Sequence, residues 1–194
     1  MTGTTASPQP QPSQPRPSQP KPSQPKPPSE HLSVEEIAEQ EHRLTLGGFT
    51  NEDAWKLGSL LVEMARLREA PVAIDIRRGP QQLFHFALSG ASADNDAWID
   101  RKRRVVERYG VSSYLVGARH RAKGTTFEES SRLDPDVYAA HGGSFPINVE
   151  GVGLVGSVTV SGLPQAEDHA LVVDALERFA AHADGSSGVA GAPS

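Results

Sequence analysis

The fold is decided by His141-Gly142-Gly143-Ser144-Phe145-Pro146-Ile147 and, shortly after it, Gly156-Ser157-Val158-Thr159-Val160-Ser161-Gly162-Leu163-Pro164-Gln165. Short apolar runs flanked by glycine predict, in order, a loop, a strand, a turn, a strand, a second loop and a helix beginning near Pro164. Both loops combine glycine with polar or titratable side chains. We therefore expect the two loops to face one hollow, where a small ligand can bind.

The rest of the sequence adds three strands and several helices. Capping patterns begin helices at Ser33 and at Thr50, each followed three residues later by an acid, and Ser112 or Ser113 begins another. A further helix is predicted over 96–109. Strands are predicted over 43–46, 72–76, 82–88, 145–149 and 154–160. Because strands and helices do not alternate regularly, we predict an α+β fold with a mainly antiparallel five-stranded sheet and helices on both faces.

The first 29 residues differ in composition from the rest of the chain. They contain ten of the sixteen prolines, in a repeated Pro-Ser-Gln-Pro-Arg/Lys unit, and almost no apolar side chains. Such a segment cannot bury a core, so we predict a disordered proline-rich N-terminus over 1–29, one domain over 30–183 and a disordered tail over 184–194. The N-terminal tail is either a solvated linker or a ligand for a proline-recognition domain.

Charge and composition limit the classes of binding partner and the cellular compartment that we expect for this protein. The tail has Arg16, Lys21 and Lys26 and no acid before residue 30, so the net charge of −5 leaves −8 on the remainder. An acidic domain argues against nucleic acid as a partner, because phosphates require basic surface. The absence of cysteine, of a signal-like start and of a long apolar run favours a cytoplasmic protein with no membrane segment.

One glycine pattern is misleading. Residues 151–156 read Gly-Val-Gly-Leu-Val-Gly and match the dinucleotide-binding fingerprint letter for letter. That fingerprint needs a strand before it and a helix after it, so that helix N–H groups meet the pyrophosphate. Here the glycines precede a strand, and we interpret them as turn residues of a hairpin.

Lys102 has two interpretations. It lies four residues after Trp98 and three before Val105, within the apolar stripe of its helix. Either its stem covers apolar surface while the ammonium reaches water, or the ammonium points inward to an anion. That anion would be a ligand carboxylate or Asp75, which lies in an apolar strand and needs a partner.

The two loops and the helix after them provide the other candidates. His141 precedes two glycines that let a ligand approach the backbone. Ser161 and Gly162 can offer N–H groups to an anion at the start of the last helix, and the helix dipole also explains Asp168 there. The predicted ligand-binding residues are Lys102, His141, Gly142, Gly143, Ser161, Gly162 and Asp168. No catalytic residue is assigned, and the residues do not choose between an enzyme and a binding protein.

The two loop stretches, together with Asp168-His169, resemble the haem-degrading family of GlcG-like, HbpS-like and PduO C-terminal-like domains. Upstream, Asn95-Asp96-Ala97-Trp98-Ile99-Asp100-Arg101-Lys102 and Ala122-Lys123-Gly124-Thr125-Thr126-Phe127 resemble its branch of uncharacterised conserved proteins. The resemblance covers residues 34–181. The chain departs from it at Ser144 and Phe145, where many relatives have Gly and Val.

The resemblance implies a profilin-like form of the α+β fold, homo-oligomers and, for some members, binding of haem or another tetrapyrrole. It makes His141 the candidate metal ligand, and imidazole is a suitable ligand for haem iron. Three hypotheses stay open. One is a cytoplasmic protein that binds haem, with or without degrading it, and another is a non-enzymatic homo-oligomeric scaffold with proline-rich arms. A third is an enzyme that acts on a small carboxylate through Lys102 and Asp168.

Overall fold

Two hairpins join side by side to make the sheet. Strand β1 (Ala73–Arg78) pairs with β2 (Gln81–Ala87), and β3 (Ser144–Val149) pairs with β4 (Gly153–Ser161). Because β1 also pairs with β4, the order across the sheet is β2-β1-β4-β3, and all three pairings are antiparallel. The computed structural model describes Met1 and residues 32–186, with side chains to residue 182.

Six helices accompany these strands in the described part of the chain. They are α1 (Val34–Arg43), α2 (Asn51–Leu67), α3 (Ala93–Tyr109), α4 (Ser113–Arg121), α5 (Phe127–Ser131) and α6 (Gln165–Ser186). The predicted capping boxes at Ser33 and Thr50 are confirmed, and the hydroxyl of Ser112 accepts the N–H of Leu115 at the start of α4. α3 ends at Gly110 in the left-handed conformation that glycine adopts without strain.

The helices lie on both faces of the sheet. α2 and α6 pack against each other and against the face that presents Ile74, Val158 and Val160, which belong to the main apolar core. α3 packs on the opposite face, where Ser144 and Thr159 are buried and joined by a hydrogen bond between their hydroxyls. The polar face of the sheet therefore lies under α3.

The prediction of five strands is wrong by one strand. The segment over 43–46 lies outside the sheet, and only Leu46 makes an isolated parallel bridge, to Val149. Arg43 is the last residue of α1, so helix occupies the start of the predicted strand, and the residues that follow meet β3 only through Leu46. The α+β class and the antiparallel sheet are confirmed, whereas the likeness to profilin stays a prediction.

Two other features concern the ends of the described chain. α6 continues to Ser186, so it includes three residues that were predicted to belong to the C-terminal tail. The predictions for 1–29 and for most of 184–194 fall outside the described residues. None of the helices within 32–186 is long and apolar enough to cross a membrane.

Candidate ligand-binding site

A cavity of about 230 Å³ lies where α3, the loop before β3 and the start of α6 meet. It is open to solvent on one side. Its lining comes from the helix, from the His141 loop and from the segment that joins β4 to α6: Asp94, Asn95, Trp98, Lys102, His141, Ser161, Gly162, Leu163, Gln165 and Asp168. Two hydrogen bonds hold the His141 loop against β4 and the start of α6: Val160 N donates to Gly143 O at 2.8 Å, and Gly142 N donates to the Gln165 side chain at 3.4 Å. The two glycine loops therefore share one hollow.

The wall from α3 follows from helical spacing. Asn95, Trp98 and Lys102 are separated by three and four residues, so their side chains lie on one face of the helix. Asn95 also closes the capping box at Ser92, accepting the Ser92 N–H at 2.8 Å, and this anchors the first turn of α3. The aromatic ring and the ammonium group thus face the two loops from one rigid element.

Lys102 and Asp168 form a buried ion pair in the cavity wall. Nζ of Lys102 lies 2.8 Å from Oδ2 of Asp168 and also donates to the carbonyl oxygen of Val160 at 3.2 Å. The other carboxylate oxygen of Asp168 accepts the N–H of Leu163 at 3.0 Å. Burial lowers the pKa of Lys102 and raises the pKa of Asp168, and the attraction between the two charges opposes both shifts. The ammonium points inward, and its anion is Asp168 rather than Asp75 or a ligand.

Gly143 permits this close arrangement. It has φ +119°, and an added Cβ would overlap the carbonyl oxygen of Val160 and lie 2.8 Å from Nζ of Lys102. Gly142 is equally restricted, because a Cβ there would overlap the carbonyl of Gln165. The glycine pair therefore lets the loop before β3 pass directly over the ion pair.

His141 lies at the edge of the cavity with its ring stacked on Trp98. The two ring centroids are 5.1 Å apart with an angle of 26° between the ring planes, and 44% of the His141 side chain is exposed. Nε2 is 3.9 Å from Oε1 of Glu128, too far for a hydrogen bond. Burial lowers the pKa of His141, against the attraction of Glu128, so the imidazole is neutral at physiological pH and retains a lone pair.

The other charged groups near His141 set the local electrostatics. The guanidinium of Arg101 lies 3.9 Å from the centre of the Trp98 ring, and Arg101, Arg121 and Lys102 all repel a proton on His141. Within the described residues, no group of three or more histidines and acids is placed to hold a bare metal ion. His141 is the one imidazole among the described residues that line the cavity.

His169, which belongs to the family-like stretch, lies outside the cavity lining. It is buried between the rings of Tyr114 and Phe145, with centroid distances of 4.7 and 5.9 Å, and its Nε2 pairs with Oε1 of Gln40 at 2.9 Å. Burial lowers its pKa to about 4. Its environment is that of a core residue that joins α6 to α1.

The structure brings five of the predicted residues, Lys102, His141, Ser161, Gly162 and Asp168, to the cavity lining. Gly142 and Gly143 lie behind the lining and shape the loop. Sequence reasoning missed Asp94, Asn95, Trp98, Leu163 and Gln165. The spacing from Trp98 to Lys102 was a usable signal, because it places both residues on one helical face.

The carboxylate of Asp75 has its own partners on the polar face of the sheet, away from the cavity. One of its oxygens pairs with Nε of Arg77 at 2.9 Å, and the other accepts from Gln82 and lies 3.4 Å from Nδ1 of His85. These partners come from β1 itself and from the adjacent β2. Asp75 therefore belongs to an ion-pair network of the sheet and does not contribute to the cavity.

The fold and the cavity together define an α+β protein with a solvent-open cavity between a helix and two glycine loops. A family model described as haem degrading protein HbpS-like matches residues 49–177. A UPF0303 protein of Streptomyces coelicolor is 76% identical over 147 residues, which are 76% of this chain and 93% of that relative. The chain belongs to the HbpS-like haem-degrading family.

Solved structures agree with this assignment. The crystal structure of the Ybr137w protein has a TM-score of 0.73 and 36% identity, over 78% of this chain and 90% of that one. A crystal structure of a PduOC:haem complex has a TM-score of 0.57 and 17% identity, over 67% of this chain and 94% of that one. At 17% identity the second likeness concerns the fold alone.

Proposed function

We propose that this protein binds haem or a related tetrapyrrole at the cavity, with His141 as the ligand of the iron. Family membership and the haem complex of a structural relative support the choice of ligand. The observation that carries the proposal is the state of His141: a neutral, half-exposed imidazole held against Trp98 at the cavity edge.

The donor set fits a haem whose iron would take one ligand from the chain. The described residues that line the cavity include one imidazole and no methionine or tyrosine, so one chain provides one suitable iron ligand. Bound haem would supply an iron centre for oxygen chemistry, and the protein would set its access and orientation. The half-exposed side of His141 is where such a ligand can approach.

Arg101 fits the haem carboxylates better than Lys102 does. Lys102 already has Asp168 and the Val160 carbonyl as partners, and its removal from them would leave a buried charge unpaired. Arg101 has no carboxylate partner among the described residues, and its guanidinium lies beside the cavity over Trp98. We therefore assign Arg101 to a propionate, because guanidinium pairs with carboxylate through two parallel hydrogen bonds.

The size of the cavity bears on how the macrocycle is held. At about 230 Å³ the cavity is below the ~300–1,000 Å³ typical of sites that enclose a drug-sized ligand. One chain can thus receive part of the macrocycle while the rest stays uncovered. A second copy of the chain would cover the part of the macrocycle that one chain leaves exposed. Haem binding and the formation of homo-oligomers are therefore linked in this proposal.

Haem titration followed by absorbance tests the proposal. We expect a Soret band that saturates for the wild type and is lost in His141→Ala. The matched control is His42→Ala, because His42 is exposed in the last turn of α1, away from the cavity lining. No spectral change with excess haem, or equal spectra for the two variants, would reject the proposal.

A non-enzymatic homo-oligomeric scaffold is the second candidate function. Val152 and Leu154 on the hairpin between β3 and β4 are 70% and 39% exposed. Leu154 borders a shallow depression with the half-buried Val155, so Val152, Leu154 and Val155 form an apolar surface suited to a second copy. Light scattering of the wild type and of Val152→Asp/Leu154→Asp is the test, with assembly expected only for the wild type. A monomeric wild-type protein would eliminate the scaffold.

A further inference from the structure

A groove on the far edge of the sheet is separate from the cavity at His141. It lies between α2 and the edge strand β2, has a volume of about 390 Å³, and is lined by Trp55, Ser59, Val62, Glu63, Arg66, Leu83, Phe84, His85 and Phe86. A second depression of about 380 Å³ shares Arg66 and Phe86 and extends past Glu69 to Ser89. We call the two together the edge groove.

Aromatic side chains form the floor and one wall of the edge groove. Trp55 is 64% exposed and meets Phe84 edge to face, with a centroid distance of 5.9 Å. Phe86, further along β2, is 38% exposed. Exposed rings arranged along a groove mark a binding surface. Proline-rich segments dock on such aromatic grooves, because their extended helix presents proline rings without internal hydrogen bonds.

The charges beside the rings favour a basic occupant. Glu63 and Glu69 are exposed, and neither has an ion-pair partner among the described residues. Arg66 lies between them in the sequence, near the end of α2, and its guanidinium is 5.6 Å from the centre of the Phe86 ring. The cation of Arg66 is thus directed at an aromatic face, while the two carboxylates stay available.

The N-terminal tail has the matching chemistry. Arg16, Lys21 and Lys26 each stand between two prolines, at intervals of five residues, with no acid before residue 30. The 147 residues matched in the Streptomyces coelicolor relative make up 93% of that protein, which leaves no room there for a counterpart of the whole tail. The tail is therefore an addition to the family domain.

The tail is long enough to reach the edge groove. The continuously described chain begins at Leu32, just before α1, which packs on α4, whereas the groove is at the β2 edge. Crossing four strands requires about 15 Å at ~4.8 Å per strand spacing. Residues 8–31 span up to ~75 Å when extended at ~3.3 Å per residue. Length does not prevent the tail from reaching the groove.

We propose that the edge groove is the docking site for the proline-rich segment of this chain, residues 8–28, with proline rings on Trp55, Phe84 and Phe86 and the basic residues on Glu63 and Glu69. The tail is then a ligand of the domain itself, and docking covers the aromatic surface. A partner that binds the tail would expose that surface again.

Photo-crosslinking of the full chain tests this docking. Ser18→benzoylphenylalanine places the reactive group in the tail and leaves the groove untouched. We expect crosslinks to peptides that contain Trp55 or residues 82–86, with the yield falling at least fivefold in Glu63→Lys/Glu69→Lys. Glu150→Lys is the matched control, because Glu150 is exposed on the opposite hairpin, and it should leave the yield unchanged.

Three results would overturn the proposal. The first is that crosslinks are distributed over the surface without preference for the groove. The second is that the crosslinking yield does not change when Glu63 and Glu69 are replaced by lysine. The third is that groove residues crosslink to residues 32–182 of a second copy. The third result is tested with a probe in the groove instead of the tail. The variant Ser59→benzoylphenylalanine crosslinks to the segment that occupies the groove. Neither probe depends on haem, so the outcome is independent of the function proposed for His141.

Discussion

The ion pair between Lys102 and Asp168 is the interaction on which the cavity wall most depends. Asp168→Asn would leave the ammonium buried without a charged partner, and we expect the free energy of unfolding to fall by about 3–5 kcal/mol. The double variant Lys102→Met/Asp168→Leu removes both charges and should cost much less. Urea denaturation of the three proteins measures the difference. A single variant no less stable than the double variant would contradict this account.

His169 makes stability depend on pH. Its pKa is about 4 in the folded protein, against ~6.5 in the unfolded chain, so the unfolded state binds more protons below pH 6.5. The stabilisation is complete above pH 6.5 and is lost as pH falls toward 4, with about 2 kcal/mol lost by pH 5. Urea midpoints at pH 7 and pH 5 measure this loss.

The matched variant for that experiment is His169→Gln, which can keep a hydrogen bond to Gln40 but does not titrate. Comparison with this variant is required because the raised pKa of Asp168 acts on stability in the opposite direction as pH falls. We expect His169→Gln to lose less stability than the wild type between pH 7 and pH 5. Parallel losses in both proteins would show that His169 is not the source.

At the scale of single residues, it was easier to predict that a residue belongs to the candidate site than to predict which residue it contacts. Lys102 was a candidate because a charged residue interrupts an apolar stripe, and that signal is local. Its partner Asp168 lies 66 residues away and meets it only when the fold brings the start of α6 close to α3 at one end of the sheet. Asp75 was the wrong partner because β1 and β2 already satisfy it. Sequence spacing does not reveal which long-range contact forms.

At the scale of elements, the loop that contains His141 can be tested through its second glycine. Gly143→Ala combines a forbidden φ with overlap against the Val160 carbonyl, and we expect a cost of about 2 kcal/mol or more. Gly151→Ala is the control, because Gly151 has φ +70° with open space around it and should cost about 1 kcal/mol. Thermal unfolding compares them. Equal costs would mean that the loop does not pass as closely over Lys102 as described.

Helix starts were predictable because a capping box is contained in four residues, as at Ser33 and Thr50. The same signal at Thr126 and Glu129 marks α5, which was overlooked. The prediction of a fifth strand was wrong for a different reason. A strand exists only with a partner, and the segment over 43–46 reaches β3 at Leu46 alone.

At the scale of the whole molecule, the fold class was predicted correctly because the spacing of apolar residues and the positions of glycines can be followed over the entire domain. The α+β class, the antiparallel sheet and the family all agree with the structure and with the relatives. The full lining of the cavity was not predictable, because three separated segments assemble it. Which residues bind a ligand there stays a prediction.

Native mass spectrometry of the protein purified from its own host tests the central claim most directly, because copy number and retained small molecules appear in one spectrum. We predict that the wild type carries the mass of haem and that His141→Ala forms the same assembly without it. A wild-type protein that retains no haem and gains none on addition, or a His141→Ala variant that retains as much, would contradict the account.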